Sequence, residues 1–336
     1  MWIKSSQTKS PERIIETTHK DIDVSENSLR PKTLQDYVGQ EQIKKHLWVS
    51  IASARLRNAS LEHILFYGPP GLWKTTLSNI IAHEMWWNLK VTSGPAIEKQ
   101  ADLISILSNI EPGDILFIDE IHRLRPQIEE ILYTAMEDFV IDIMVWKGTG
   151  AQSVRMPVAN FTLIWATTKL SALSNPLRDR FWNVLKLDFY SGNDLEKIIV
   201  KNAFLLDLEM EKDLVSAIAN RSRGTPRISN RILKIMRDYK IIGKEINQNK
   251  VFKEIFLDLW IDDLGLDYLD KKYLQTIYEK FTGGPVWLGT LASSIGEEEA
   301  TLEDVVEPYL LQIWFLEKSS RGRKITDSAI LHLSGK

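Results

Sequence analysis

The turn Gly68-Pro-Pro-Gly71-Leu-Trp73-Lys74-Thr75-Thr76 constrains the chain more than any other stretch. The apolar run His63 to Tyr67 precedes it, and a helical pattern from Lys74 to about Met85 follows. A strand therefore feeds a glycine-bearing loop that opens a helix, and consecutive main-chain N–H groups converge there at the positive end of the helix dipole. Such a cradle takes phosphate oxygens. Lys74 would neutralise the β and γ phosphates of a nucleotide, with Gly71 and Thr76 in the same cradle, and the Thr75 hydroxyl would complete a Mg²⁺ shell. ATP and Mg²⁺ are the cofactors expected.

Some 45 residues beyond Lys74, Ile115-Leu-Phe-Ile118-Asp119-Glu120 is an apolar strand ending in two carboxylates. Alone, such a pair reads as a solvated strand end. After a phosphate loop, Asp119 would hold magnesium through water and Glu120 would accept the proton that an attacking water loses. Thr167 and Thr168 close a later strand, where a hydroxyl could meet the γ-phosphate or the water. In Leu177-Arg-Asp-Arg-Phe181, Arg178 or Arg180 could stabilise phosphoryl-transfer charge in a neighbouring subunit. Arg227, at the start of a helix, could reach the same nucleotide.

Strand runs at Leu89–Thr92, Asp114–Ile118 and Phe161–Thr167 alternate with helical stretches at Glu98–Asn109 and Pro126–Asp138. That alternation predicts an α/β fold, a parallel sheet with helices on both faces. The β-prone runs 140–145 and 153–158 predict an inserted hairpin. From Asn193 the pattern is wholly helical, and after Asp262 three helices and two short strands about the turn Ser319–Gly322 predict a winged helix. The expected domains are 1–190, whose residues 1–28 form a loose arm, then a small helical lid at 191–262 and a DNA-binding head at 263–336. Lys318, Arg321, Arg323 and Lys324 place four cations within seven residues of the wing, suited to phosphates.

The chain has no cysteine, no run of about 20 apolar residues and no apolar leader at its start. A cytoplasmic protein without membrane association is expected. The net charge of -3 restricts any nucleic-acid contact to a local patch. No histidine spacing suggests a metal beyond magnesium. One anomaly stands out: 11 tryptophans beside 17 glycines, where ordinary usage predicts roughly 24 glycines.

With these residues placed, the chain resembles the RuvB family of Holliday-junction branch-migration ATPases, of the AAA+ class, from about Leu29 to Thr326. The resemblance lies in Arg30-Pro-Lys, Tyr37-Val-Gly-Gln40, Gly68-Pro-Pro-Gly71, Thr92-Ser-Gly-Pro95, Phe117-Ile-Asp-Glu-Ile-His-Arg123 and Ala135-Met-Glu-Asp138. It continues in Pro176-Leu-Arg-Asp-Arg-Phe181, Arg223-Gly-Thr-Pro-Arg227, Gly283-Gly-Pro285, Glu307-Pro-Tyr-Leu310 and Arg321-Gly-Arg323. It implies an ATP hydrolase that drives Holliday-junction branch migration in recombination and repair as a homohexameric ring on duplex DNA. Leu29, Arg30, Glu137, Asp138, Phe139 and Tyr190 would frame the nucleotide, Arg180 would be the trans-acting arginine finger, and Arg227 the cis-acting sensor. Lys318 and Arg323 would touch DNA. The hairpin at 140–158 would dock a RuvA-type junction-binding partner through Ile141, Ile143 and Met144, and a RuvC-type resolvase is a further partner of the family.

The chain departs from that pattern where Trp73 takes the place of the glycine before the phosphate-loop lysine. Trp165, Trp182, Trp287 and Trp314 also stand where the family has glycine, and Trp146, Trp260 and one of Trp86 and Trp87 look similar. One cause is more economical than many. Some bacteria read the codon UGA as glycine and others as tryptophan, so translation with the wrong table would exchange the two. Besides the motor, two readings stay open: a DNA-binding scaffold unable to bind ATP because Trp73 fills the loop, and another AAA+ machine such as a clamp loader or protein remodeller.

Overall fold

The computed structural model describes residues 26–144 and 153–334. A short 3-10 turn, Glu26–Leu29, leads through an extended segment into helix α1 (Glu41–Arg57), whose Ile43, Leu47, Ile51 and Ala54 face inward. The rest of the expected arm lies outside the described residues. Next come β1 (Ile64–Tyr67), α2 (Lys74–Met85), β2 (Leu89–Ser93), α3 (Gln100–Ser108), β3 (Ile115–Asp119) and α4 (Pro126–Glu137). Strands β4 (Val140–Met144) and β5 (Ser153–Pro157) form the inserted antiparallel hairpin. Strand β6 (Thr162–Thr167), the short helix α5 (Asn175–Arg178) and β7 (Asn183–Lys186) complete this part.

The sheet is all parallel, in the order β2-β3-β6-β1-β7. Its three interior strands are continuous apolar runs because both of their faces are covered. The edge strands β2 and β7 carry polar residues at half-open positions. Side chains alternate between two cores. Ile64, Phe66, Phe117 and Ile164 pack against α1 and α2, while Leu65, Leu116, Ile118 and Leu163 pack against α3, α4 and the hairpin. Strand β7 escaped the sequence reading because Asn-Val-Leu-Lys offers only two apolar residues, yet it pairs along its whole length with β1.

Helices α6 (Gly192–Leu205), α7 (Lys212–Arg221), α8 (Pro226–Ile241) and α9 (Asn249–Asp258) follow. The Ser191 hydroxyl caps α6, and a proline at the first position starts α8. The C-terminal unit has its own core. It comprises α10 (Tyr268–Phe281), α11 (Leu288–Ile295), α12 (Glu299–Thr301), a π-turn at Leu302–Val306, α13 (Glu307–Gln312), the wing strands β8 (Leu316–Ser319) and β9 (Gly322–Ile325), and α14 (Asp327–Leu333). Among the described residues no helix is long and apolar enough to cross a membrane.

Several contacts tie the C-terminal unit to the rest, among them those of His332 and Lys271 with Asp262. Lys169, just past β6, pairs with Asp304 of the π-turn at 2.7 Å. Arg223 stacks on Tyr309 at 4.6 Å and reaches Asp267 and the buried Asp270, the latter at 3.0 Å. Burial raises the Asp270 carboxyl to about 7, with the Arg223 charge opposing that rise. A carboxyl raised in the folded chain binds more protons there than when unfolded, so this contribution to stability falls as pH rises through about 7. Arg223→Ala removes the opposing charge. The variant is expected to lose about 1–3 kcal/mol more stability at about pH 8 than at about pH 5.5, measured by urea unfolding at the two values.

Candidate functional site

The loop between β1 and α2 is shaped by a near collision. Gly68 has φ 144°, and a Cβ there would run into the Leu187 carbonyl oxygen, so only glycine lets the chain turn off the sheet. The turn brings Lys74 back under the loop, where its Nζ donates to the Gly68 and Pro69 carbonyls at 2.7 and 2.8 Å. Burial lowers the Lys74 ammonium to about 8, against the favourable charge of Asp119. The Thr76 hydroxyl is buried with no hydrogen-bond partner, as expected of a group reserved for a ligand.

Sheet order brings the acids to this loop: β6 alone separates β3 from β1. One cavity is lined by Arg30, Gly71, Trp73, Lys74, Thr75 and Thr76 together with Asp119, Glu120, Thr168 and Arg227. Ten residues that the sequence analysis named thus share one recess, with Arg227 entering from the first turn of α8. Leu29 and Tyr190 are buried beside it in the α1 and α2 core, and the Tyr190 hydroxyl donates to that of Tyr37 at 2.8 Å. Thr167, by contrast, turns its hydroxyl to His122 Nδ1 at 3.0 Å and to the Lys169 N–H at 3.0 Å, while Thr168 lines the cavity. His122 carries no role in the sequence reading. Its place three residues after Asp119 was the available signal, because the turn closing β3 points it at the end of β6.

Glu137 and Phe139 do not reach this recess. They line a second cavity of about 430 Å³ with Arg180, while Asp138 ends α4 nearby. Arg180 lies 2.9 Å from Glu137, donates to the Pro176 carbonyl at 2.8 Å and stacks over Tyr133 at 4.6 Å. Arg178 lines neither recess; it is half-buried and bound to Asn175. The recess holding Arg180 is therefore a second candidate face, and the ring of Tyr133 under the guanidinium belongs to it, a residue the sequence did not single out.

The wing carries the expected cations, but they are not equally available. Lys318 and Arg323 are cross-strand partners, and both turn back on the buried Glu307 at 2.5 and 2.9 Å, with Glu303 beside them. Tyr273 donates a third bond to Glu307 at 2.8 Å. Burial alone would raise the Glu307 carboxyl, but Arg323, Lys318 and Tyr273 together hold it below its usual range. Arg321 and Lys324 are exposed. The hairpin requires a correction. Ile141 is fully buried and Ile143 half-buried against the chain's own core, since alternate residues of β4 face inward, so Ile141 cannot anchor a partner. The Met144 side chain lies outside the described residues, and among the described residues of the hairpin Val154, opposite Ile143, is an exposed apolar one.

One residue conflicts with this chemistry. Trp73, at φ 63° and ψ 33°, places its ring between Tyr37 and Tyr190, with centroids 5.9 and 6.0 Å away. The cavity that remains is about 100 Å³, against the roughly 300–1,000 Å³ of ligand pockets. The loop, Lys74 and the paired acids fit a nucleotide, and the Trp73 side chain lines and narrows the recess they share. Trp73→Gly is expected to tighten ATP binding by roughly two orders of magnitude, on the order of 3 kcal/mol, read by titration with a fluorescent nucleotide.

A phosphate loop after the first strand, paired acids on the next strand but one in the sheet, a lid-borne arginine and a winged C-terminal unit define an AAA+ P-loop ATPase. Three family models match in succession: the Holliday junction DNA helicase RuvB P-loop domain at 29–187, the RuvB AAA lid domain at 190–260 and the RuvB C-terminal winged-helix domain at 263–334. The chain belongs to the RuvB family. It is 52% identical over 310 residues, 92% of its length and 89% of the relative's, to the Holliday junction branch migration complex subunit RuvB of Dehalococcoides mccartyi. An alanine-to-serine variant of Thermotoga maritima RuvB superposes with a TM-score of 0.84 at 47% identity, covering 91% of this chain and 98% of that one. The structure titled as the Thermotoga maritima RuvB Holliday junction branch migration motor gives 0.82 at 46%, with the same coverage. Three consecutive RuvB models leave no place for a clamp loader or protein remodeller.

Proposed function

We propose that this chain hydrolyses ATP to move duplex DNA through a homohexameric ring, driving Holliday-junction branch migration in the cytoplasm. A RuvA-type protein would hold the crossover, and a RuvC-type resolvase would act on the product. The observation that carries the reading is the single recess where Lys74, Asp119, Glu120 and the lid's Arg227 meet. The working division is a motor at 1–190, a lid at 191–262 and a DNA-binding head at 263–336.

In the binding step, main-chain amides from Gly71 to Thr75 and the Lys74 ammonium would take the phosphates, and Lys74 would exchange its loop carbonyls for them. Thr75 and Asp119 would hold Mg²⁺, which supplies charge neutralisation on the phosphate oxygens. Glu120 would align a water and receive its proton. Thr168 faces the recess, and Thr167, fixed by His122, shapes the end of the strand that presents it. Arg180 would serve the neighbouring subunit's nucleotide, with Glu137 and Phe139 on that same interface rather than at the chain's own site, and Asp138 beside them. Arg321 and Lys324 would meet backbone phosphates first, and Lys318 and Arg323 would follow once phosphate outcompetes Glu307. The exposed Val154 of the hairpin faces the RuvA-type partner.

A second reading is favoured by one observation, the narrow cavity beside Trp73. With tryptophan there the chain would be a DNA-binding scaffold without an engine. ATPase assays of both forms, with junction DNA and a RuvA-type protein present, separate the readings: no hydrolysis from the Trp73→Gly chain would sink the motor.

Two further outcomes are expected in the Trp73→Gly background. Glu120→Gln should cut hydrolysis by roughly 10²–10³ while nucleotide titration shows binding retained. Tyr133→Ala should slow hydrolysis about tenfold with ATP affinity unchanged, whereas Tyr133→Phe, which keeps the stacked ring, should restore it. A Tyr133→Ala chain with full activity in steady-state assays would remove the dock for Arg180 from the scheme.

A further inference from the structure

We infer that the protein made in its own cell carries glycine in place of Trp73, Trp86, Trp260 and Trp314, each encoded by a UGA codon that the cell reads as glycine. The inference rests on backbone dihedrals and holds or fails independently of the motor activity.

Among the described residues, eleven that are not glycine have positive φ, and four of them are tryptophan: Trp73 at 63°, Trp86 at 57°, Trp260 at 58° and Trp314 at 58°. Tryptophan supplies only 11 of 336 residues, so chance does not account for this share. It is also a poor occupant. In this left-handed region Cβ crowds the following carbonyl, and Gly, then Asn and Asp, are the residues that tolerate it.

The local settings name the missing residue. Trp86 follows the last residue of α2, with cap N–H groups bonding Ala82 and His83 carbonyls. Trp260 lies two residues beyond α9 and bonds the Leu257 carbonyl, and Trp314 lies two beyond α13 and bonds that of Leu311. Left-handed positions that end helices in this way are where glycine is most enriched. All three indoles stay largely in solvent, with exposures of 87%, 69% and 75%, although Trp260 meets Tyr268 edge-on and Arg55 lies over Trp86. Trp73 stands in a phosphate loop, where the backbone must approach its ligand closely.

Two other tryptophans serve as controls. Trp87 has no positive φ and packs against the α1 and α2 core, its ring against Gly113. Trp48 lies within α1 at helical dihedrals. Neither carries the left-handed signature, so of the pair Trp86 and Trp87 it is Trp86 that the backbone marks. Trp146 lies outside the described residues.

The test is the gene sequence together with the mass of the peptide spanning Gly71 to Lys74 in protein from the source cells. UGA at codons 73, 86, 260 and 314, UGG at 48 and 87, and a peptide mass with glycine at 73 are expected. UGG at the four positions, or a tryptophan mass, overturns the inference. In a recombinant chain, exchanging all four for glycine should raise the Tm by roughly 10 °C. An unchanged or lower Tm would count against the backbone argument even if the motor proves active.

Discussion

The molecule's chemistry depends on one close approach, the passage of Gly68 beneath the Leu187 carbonyl. Because no side chain fits between them, the chain leaves β1 sharply and α2 begins with its amides aimed at a common point. The sheet order then does the rest. Strand β6 is inserted between β1 and β3, so acids read some 45 residues downstream in sequence arrive within one recess of Lys74. Burying a charge this near the sheet is costly without partners, and Lys74 meets that demand with the loop's own carbonyls.

Much of this was legible before any coordinates. Continuous apolar runs marked β1, β3 and β6 because strands covered on both faces have no reason to alternate, and the 3.6-residue period marked the lid helices. What stayed hidden was decided at a distance. β7 has too few apolar residues to declare itself and exists because β1 offers an unpaired edge. The helix α14 was likewise missed, its only fully buried residue being Ala329. For the recess, motif residues converge as expected. Yet Glu137 and Phe139 lie on another face, and Thr167 yields its place at the cavity to Thr168, because strand ends and side-chain directions are tertiary facts. Ile141 shows the same limit: hydrophobicity identified it, but the parity of β4 sends it inward.

The tryptophan anomaly illustrates how composition and conformation bear on one question from different sides. A glycine shortage says that something is missing but not where. Positive φ says where, because dihedrals report what the backbone requires irrespective of the side chain written upon it. The two agree at the phosphate loop, which makes residue 73 the point where a matter of translation and a matter of enzymology coincide.

The short helical rod from Glu299 to Gln312 carries its acids to two destinations. Asp304 grips Lys169 just past the end of β6, while Glu303 and Glu307 grip the wing cations. Glu303 directly precedes Asp304 in the chain and Glu307 follows it by three residues, so the carboxylates serving the two partners are close neighbours on one helical segment. One short helical segment thus carries the counter-charges of both the loop after β6 and the wing, so the two surfaces are joined through neighbouring carboxylates.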